Sequence, residues 1–338
     1  MFSKNNSSNK LRKFRLGISV ATLTFAFCFL IPEIVIRTFN LPWKKAVDEL
    51  SHFEYNPPLA VHNHKIDTFR PININYLKSP NTYRILVLGD SFAWGDKIRD
   101  YKDTWPEVLQ KELRQSPSPK KYEVLNLGGC GFTTVDELGI LQKIGWNFNP
   151  DLILLQFTLN DPLPRGRKED QWLFPTKNLV PIASVNSWLK THSYFFHFLD
   201  YQFCQLQIHL FYSHKMDSLY EDNFYGWKEC QQALQEIAAS AAKKEVKTVC
   251  IVMPLFVPGK HTPQNYPYQE IHRKIASKAK EQGFYTLDLL DPFIAQGKDF
   301  REWHALKLDR HPNQEAHRLS ALWIKDYLKD EKLIHGED

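Results

Sequence analysis

The chain is predicted to adopt an α/β fold, an open parallel sheet inside a three-layer α/β/α sandwich. Two observations carry that reading. From Tyr83 onward, short apolar runs alternate with longer segments of helical periodicity. The runs are apolar throughout instead of alternating with polar residues, as expected of parallel strands covered on both faces.

In chain order the first element precedes the sheet. Leu16–Ile36 (LGISVATLTFAFCFLIPEIVI) is 21 residues long with one charge, Glu33. A helix of that length spans a hydrocarbon core of roughly 30 Å at about 1.5 Å per residue. Residues 1–15 carry Lys4, Lys10, Arg12, Lys13 and Arg15 and no acid, while Arg37, Lys44 and Lys45 follow. The bias predicts a signal-anchor with a cytoplasmic N-terminus and an exported body, periplasmic or at the cell surface. A cleaved signal peptide is the rival reading, but no small-x-small site follows the run, and Phe27 before Cys28 spoils a lipoprotein box. A buried core helix is the third.

Residues 37–82 read as a linker or irregular arm, and its 40–80 stretch is rich in Pro and Asn without sustained period. Strands are then expected at Tyr83–Leu88, Tyr122–Leu127, Leu152–Phe157, Val246–Met253 and Phe284–Leu290. Helices are expected at Thr104–Arg114, Val135–Ile144, Trp227–Lys244, Tyr268–Glu281 and Asn313–Tyr327, within a domain running over 83–332. Residues 162–225 break the alternation and include the aromatic stretch SYFFHFLDYQFCQLQIHLFY. A structureless loop of that length is uncommon in a compact domain, so a helical insertion is expected. It reads as a lid, a substrate wall, a bilayer-facing surface or plain packing.

Charge excludes one class of function. The 338 residues hold 43 Lys plus Arg and 38 Asp plus Glu, a net charge of +5. Setting aside the five basic residues of positions 1–15 leaves 38 of each sign. The surplus is therefore local, and no broad phosphate-tracking surface for nucleic acid is implied. The five cysteines are odd in number, widely spaced and free of C-x-x-C, so neither a disulfide framework nor a zinc site is indicated.

In open α/β sheets ligands sit beyond the carboxyl ends of the strands. The first predicted strand delivers Gly89-Asp90-Ser91 there. The second delivers Asn126-Leu127-Gly128-Gly129-Cys130-Gly131-Phe132-Thr133, and the third Asn160-Asp161. Asp309-Arg310-His311-Pro312-Asn313 opens the last helix. These are the parts of an acyl-transfer site. A serine hydroxyl needs an imidazole to take its proton, and the imidazole needs a carboxylate to fix its tautomer. Amides of a glycine turn and an Asn side chain can face a developing oxyanion, each typically worth about 3 kcal/mol of barrier. Pro312 suits a first helical turn and would hold His311 at a rigid helix entry.

In these four blocks the chain resembles the SGNH (GDSL-type) hydrolases, over residues 83–320. The resemblance implies a five-stranded, flavodoxin-like sheet and a serine esterase or lipase-like activity. It makes Ser91 the nucleophile, His311 the base and Asp309 its orienter. The oxyanion hole falls to the Ser91 backbone N–H, Gly131 and the Asn160 side chain. Two positions depart from the family pattern. Thr158 stands where the third block usually has Gly, and Asp309 lies two residues before His311 where three is usual, a place held by Leu308.

The remaining candidates favour plainer roles. His62 and His64 lack companions for a metal site, His317 reads as a packing or capping residue, and Asp161 as a turn-former. No metal or organic cofactor is implied. The expected partner is an ester-bearing small molecule, glycan or lipid, with the membrane met through the N-terminal helix. An O-acyltransferase of envelope polysaccharide with the same triad stays open, as does a non-catalytic binding protein on this fold. Oligomeric state is not legible.

Overall fold

The computed structural model describes residues 15–20, 23–24, 26–51, 76–163, 178–307 and 309–335. They belong to two compact units. One comprises Met1–His52 with Phe174–Ser213, the other Phe53–Leu173 with His214–Asp338.

The second unit contains the sheet. Its strands are β1 (Thr82–Leu88), β2 (Lys121–Asn126), β3 (Leu152–Thr158), β4 (Lys247–Met253) and β5 (Tyr285–Asp288), all parallel, in the order β2-β1-β3-β4-β5. Each predicted strand is present, with ends moved by one or two residues. β1 and β3 are central, and Ile85–Leu88 and Leu152–Leu155 are fully buried, which is why they read as unbroken apolar runs. Each such side chain contributes roughly 1.5–3 kcal/mol on burial.

The helices are α1 (Ile31–Thr38), α2 (Pro42–Ser51), α3 (Ser91–Trp94), α4 (Trp105–Gln115), α5 (Thr134–Lys143), α6 (Ala183–His192), α7 (Tyr194–Leu219), α8 (Tyr225–Ala242), α9 (Gln269–Glu281), α10 (Leu290–Ala295) and α11 (Gln314–Asp330). Right-handed crossovers place α4 on one sheet face and α5, α8 and α9 on the other. α11 returns to pack on α4, and α5 packs on α8, which completes three layers. Strand order reverses at β1, so the connections leaving β1 and β3 diverge and open a crevice at their carboxyl ends.

Two features were not anticipated. A hairpin of β6 (His304–Leu306) and β7 (Asp309–Pro312) precedes α11. Pro312 therefore ends a strand, not the first turn of a helix as expected. Asn313 is the N-cap of α11, its Oδ1 accepting the Ala316 N–H at 2.9 Å. The insertion contains α6 and α7, separated by a break at Ser193. Residues 164–177 of the insertion, 52–75 of the arm with His62 and His64, and Leu308 lie outside the described residues.

In the first unit, residues 15–20 and 23–24 are helical, a π-helical turn covers Ala26–Leu30, and α1 follows. Among the described residues no helix is long and apolar enough to cross a membrane. Among the described residues no two cysteines form a disulfide, and Cys230 and Cys250 are buried.

Candidate active site

The site lies at the carboxyl end of β1. Asp90 caps α3, its Oδ1 accepting the Phe92 N–H at 2.8 Å, and this turn presents Ser91 as the first helical residue. α3 lies so close to the strands that glycines are required below it. A Cβ on Gly89 would stand 2.7 Å from the Ala93 Cβ, and one on Gly128 2.9 Å from the same atom. Asn126 ties the turn down from β2. Its Nδ2 donates to the Ala93 carbonyl at 2.8 Å, and its Oδ1 accepts the Gly128 N–H at 2.9 Å.

The hairpin supplies the other two groups. Alternate residues of a strand face the same way, so the two-residue spacing of Asp309 and His311 along β7 puts both on one face. Asp309 Oδ1 accepts the His311 backbone N–H at 2.9 Å and the Nδ1–H at 2.6 Å. A carboxylate can only accept, so the proton sits on Nδ1 and Nε2 is left with its lone pair. Nε2 then accepts the Ser91 hydroxyl, with Oγ 3.0 Å away. The shortened spacing thus fits a strand, where a three-residue spacing would put the carboxylate on the opposite face.

Charge follows from this geometry. Burial pushes the His311 imidazole down, but the hydrogen bond and charge of Asp309, then the charges of Asp96 and Asp90, outweigh it and raise its pKa above 6.5. Burial pushes Asp309 up, yet its bonds and charge contact with His311, with Lys97 beyond, bring it below 3.8. Asp90 is raised by burial.

Gly131 and Asn160 occupy the loops after β2 and β3, on either side of β1. Gly131 adopts φ +77°, a left-handed conformation that glycine takes without steric cost. Its loop is joined to that of β1 by the Gly129 N–H donating to the Gly89 carbonyl at 3.0 Å. The Asn160 turn is closed by the Asp161 N–H to the Thr158 carbonyl at 3.0 Å, and the Leu163 N–H to the Asn160 carbonyl at 2.9 Å. Thr134 Oγ1 donates to Asp161 Oδ2 at 2.7 Å, so the buried Asp161 fastens the start of α5 to the Asn160 turn. Thr158, at the position where glycine is usual, is buried and accepts from Gln156 Nε2 at 2.5 Å.

Two acidic groups escaped the sequence reading. Asp96, on the turn after α3, has Oδ2 3.7 Å from His311 Nε2. Glu137 of α5 is 1% exposed, and burial followed by the charges of Asp161, Asp90 and Asp136 raises its pKa well above 4.5. Its signal was present in the sequence, since Thr134, Glu137, Leu138 and Leu141 form one helical stripe with an acid inside it. His317 is buried in α11, and its Nδ1 accepts the Trp105 N–H at 3.1 Å, a cap on α4. Among the described residues no group of His, Cys, Asp and Glu could hold a metal ion.

No curated protein matches the chain. Similar solved structures include a two-domain esterase active on acetylated mannans, at 13% identity and TM-score 0.44, covering 76% of this chain and 51% of that one. The chain thus spans about half the length of that protein. A catalytic mutant of an acetylxylan esterase from Geobacillus stearothermophilus is 14% identical, with TM-score 0.46 and coverage of 75% and 96%. An α/β hydrolase from the metagenome of Lake Arreo, Spain, is 15% identical, with TM-score 0.46 and coverage of 75% and 97%. The sequence profile of the GDSL-like Lipase/Acylhydrolase family matches residues 87–319, from the end of β1 into the first turns of α11. The span takes in every block quoted above and most of the chain, which belongs to this family and is a GDSL-type, esterase-like hydrolase.

Proposed function

We propose that the protein is a membrane-anchored serine esterase that hydrolyses the acyl esters of a hydroxylated envelope substrate, an acylated glycan. The observation that carries this reading is the unbroken chain from Ser91 Oγ to His311 Nε2 at 3.0 Å and from His311 Nδ1 to Asp309 at 2.6 Å. Ser91 Oγ attacks the ester carbonyl while its proton passes to His311 Nε2. The carbonyl electron pair moves onto oxygen, where the Ser91 and Gly131 N–H groups and the Asn160 amide stabilise it. Collapse expels the alcohol, which collects the proton from Nε2. Water then repeats the sequence on the acyl-serine and releases the acid.

Asp96 favours a hydroxylated leaving group over a long-chain lipid. Its carboxylate lies on the Nε2 side of His311, where the departing alcohol must come for its proton. An acceptor there suits a sugar bearing further hydroxyls and costs desolvation against a hydrocarbon. The anchor and the extracytoplasmic address rest on the apolar run of residues 16–36 and the five basic residues before it.

Ser91→Ala is expected to abolish release of p-nitrophenol from p-nitrophenyl acetate, a loss on the order of 10⁶ in kcat. Undiminished turnover by a folded Ser91→Ala protein refutes the nucleophile. A panel of p-nitrophenyl esters and acetylated glycans tests the substrate. Fast release of acetate supports the glycan reading, and a marked preference for long acyl chains overturns it.

A further inference from the structure

Helix α6 of the insertion distributes its side chains in the reverse of the usual sense. α6 buries Asn186, which is 1% exposed, and leaves Val185 and Trp188 42% and 59% exposed. Ile182, immediately before the helix, is 62% exposed, and Leu179 also faces outward. The polar interior is bonded. Asn186 Oδ1 accepts the Val180 N–H at 3.2 Å, and Asp200 of α7, also buried, accepts the Leu179 N–H at 2.8 Å and pairs with Lys190 at 3.2 Å. Residues 179, 182, 185 and 188 recur at intervals of three, which places Val185 and Trp188 on one side of α6 with Ile182 leading into it. A helix in water turns such a stripe inward, and a contiguous exposed one marks a partner or a lipid surface.

Glu33 says which. It is the only charge in the apolar run, and it is spent on the junction between α6 and α7. Its carboxylate accepts the Ser193 hydroxyl and the Phe195 N–H, both at 2.8 Å, and the Tyr194 N–H at 3.3 Å. A carboxylate at the first turn of α7 also sits where the helix dipole favours it. Arg37 donates to Glu33 at 2.5 Å and to the His192 carbonyl at 2.9 Å, and Trp43 Nε1 donates to the Tyr194 carbonyl at 3.0 Å. The rings of Phe29 and Phe195 meet edge to face at 5.6 Å. The α6–α7 junction is thereby fixed to the last turn of the apolar run. Were the anchor a helix throughout, its rise from Leu16 to Glu33 would be about 25 Å, the level at which a spanning segment leaves the hydrocarbon. Arg37 and Lys44 stand 5.0 and 5.5 Å from the Tyr194 ring, with Trp43 beside them, the aromatic and basic company of a membrane interface.

We propose that α6 and its leading residues lie in the outer membrane–water interface beside the anchor, with Leu179, Ile182, Val185 and Trp188 against the acyl chains of that leaflet. The occupant of the stripe is lipid. The proposal rests on the anchor reading and adds a second, surface-lying contact to it, of the monotopic kind.

The test uses the full chain, with Cys28, Cys130 and Cys204 replaced by Ser, in vesicles of phosphatidylethanolamine and phosphatidylglycerol. Environment-sensitive fluorophores are attached in turn at Val185→Cys, Trp188→Cys, Leu23→Cys in the anchor and Gln235→Cys on α8. Hydrolysis of p-nitrophenyl acetate by each labelled protein shows that the fold is intact. The expected result is blue-shifted emission at 185 and 188, quenched by brominated lipid as strongly as at 23, and none of this at 235. Unquenched labels at 185 and 188 with a quenched label at 23 overturn this proposal and leave the anchor standing. An unquenched label at 23, with protein that fails to float with the vesicles, overturns the anchor and this proposal with it. A blue shift at 185 that brominated lipid does not quench means a protein occupant, and overturns the lipid assignment.

Discussion

In the sheet unit Ile85 to Leu88 are fully buried and the polar groups gather at the strand ends, where Asp309, His311 and Ser91 are hydrogen-bonded in line. In the helical unit Asn186 and Asp200 are buried while Ile182 and Trp188 stand outside. The polar groups named in each arrangement are hydrogen-bonded, so the contrast is not one of good and poor packing. It teaches that burial is divided differently in the two places: β1 turns Ile85–Leu88 into an apolar centre, whereas α6 turns Asn186 inward and Val185 and Trp188 outward.

The sharpest way to probe that contrast is to disturb the polar chain of the sheet unit. Asp309→Asn leaves the fold in place but no longer holds the proton on Nδ1, and kcat is expected to fall on the order of 10³ or more. The pH profile carries a second signature. His311 must be unprotonated to act, and its pKa lies above 6.5, so kcat/KM falls as pH drops through that raised value. In Asp309→Asn the depressing effect of burial meets less opposition, and the acid limb moves to lower pH. A mutant with the wild-type limb would show that Asp309 does not face the imidazole in solution.

Burial provides the next comparison. Leu234 of α8 is fully buried, and Leu234→Ala is expected to cost about 2–5 kcal/mol in thermal or urea unfolding. Val185→Ala, on the exposed stripe, is expected within about 0.5 kcal/mol of wild type. Equal losses would mean that the stripe is packed within the chain, and the contrast between the units would disappear.

The smallest effect concerns Glu137. A carboxyl whose pKa is higher folded than unfolded binds its proton more tightly in the native state, so stability declines as pH rises from the ordinary value of 4.5 through the raised one. Glu137→Gln removes that decline while keeping the shape. The variant is expected to be at least as stable as wild type at neutral pH and to show a flatter stability profile. A steeper profile would mean that Glu137 is ionised in the folded protein.

The five strands were legible because a covered parallel strand has one requirement, apolar side chains on both faces, and YRILVL or LILLQF meets it wherever it is read. Ser91 was legible for a related reason, since it follows a strand at the sheet edge where ligands sit, and His311 was legible through the Asp309-Arg310-His311-Pro312-Asn313 block ahead of the last helix. Asp309 was harder, since its spacing from His311 makes sense only on a strand, and three-residue β6 and four-residue β7 are too short to announce themselves by period. Asp96 was invisible because its proximity to His311 is purely tertiary. The insertion resisted for a different reason. Val185 and Trp188 form an apolar stripe whichever way it points, and periodicity carries no information about the solvent a stripe meets.

The hairpin bears on how the site assembles. Asp309 and His311 are neighbours in sequence, so their mutual geometry costs almost no chain entropy, while Ser91 and His311 are separated by 220 positions. The triad therefore depends on one long closure instead of two, and the cost of such a closure rises only slowly with the length enclosed. The intervening 220 positions include the insertion, so segments could be lengthened or exchanged between β1 and β7 with little entropic consequence for the triad. A fold that carries its base and orienter on one short ribbon is free to vary what lies between.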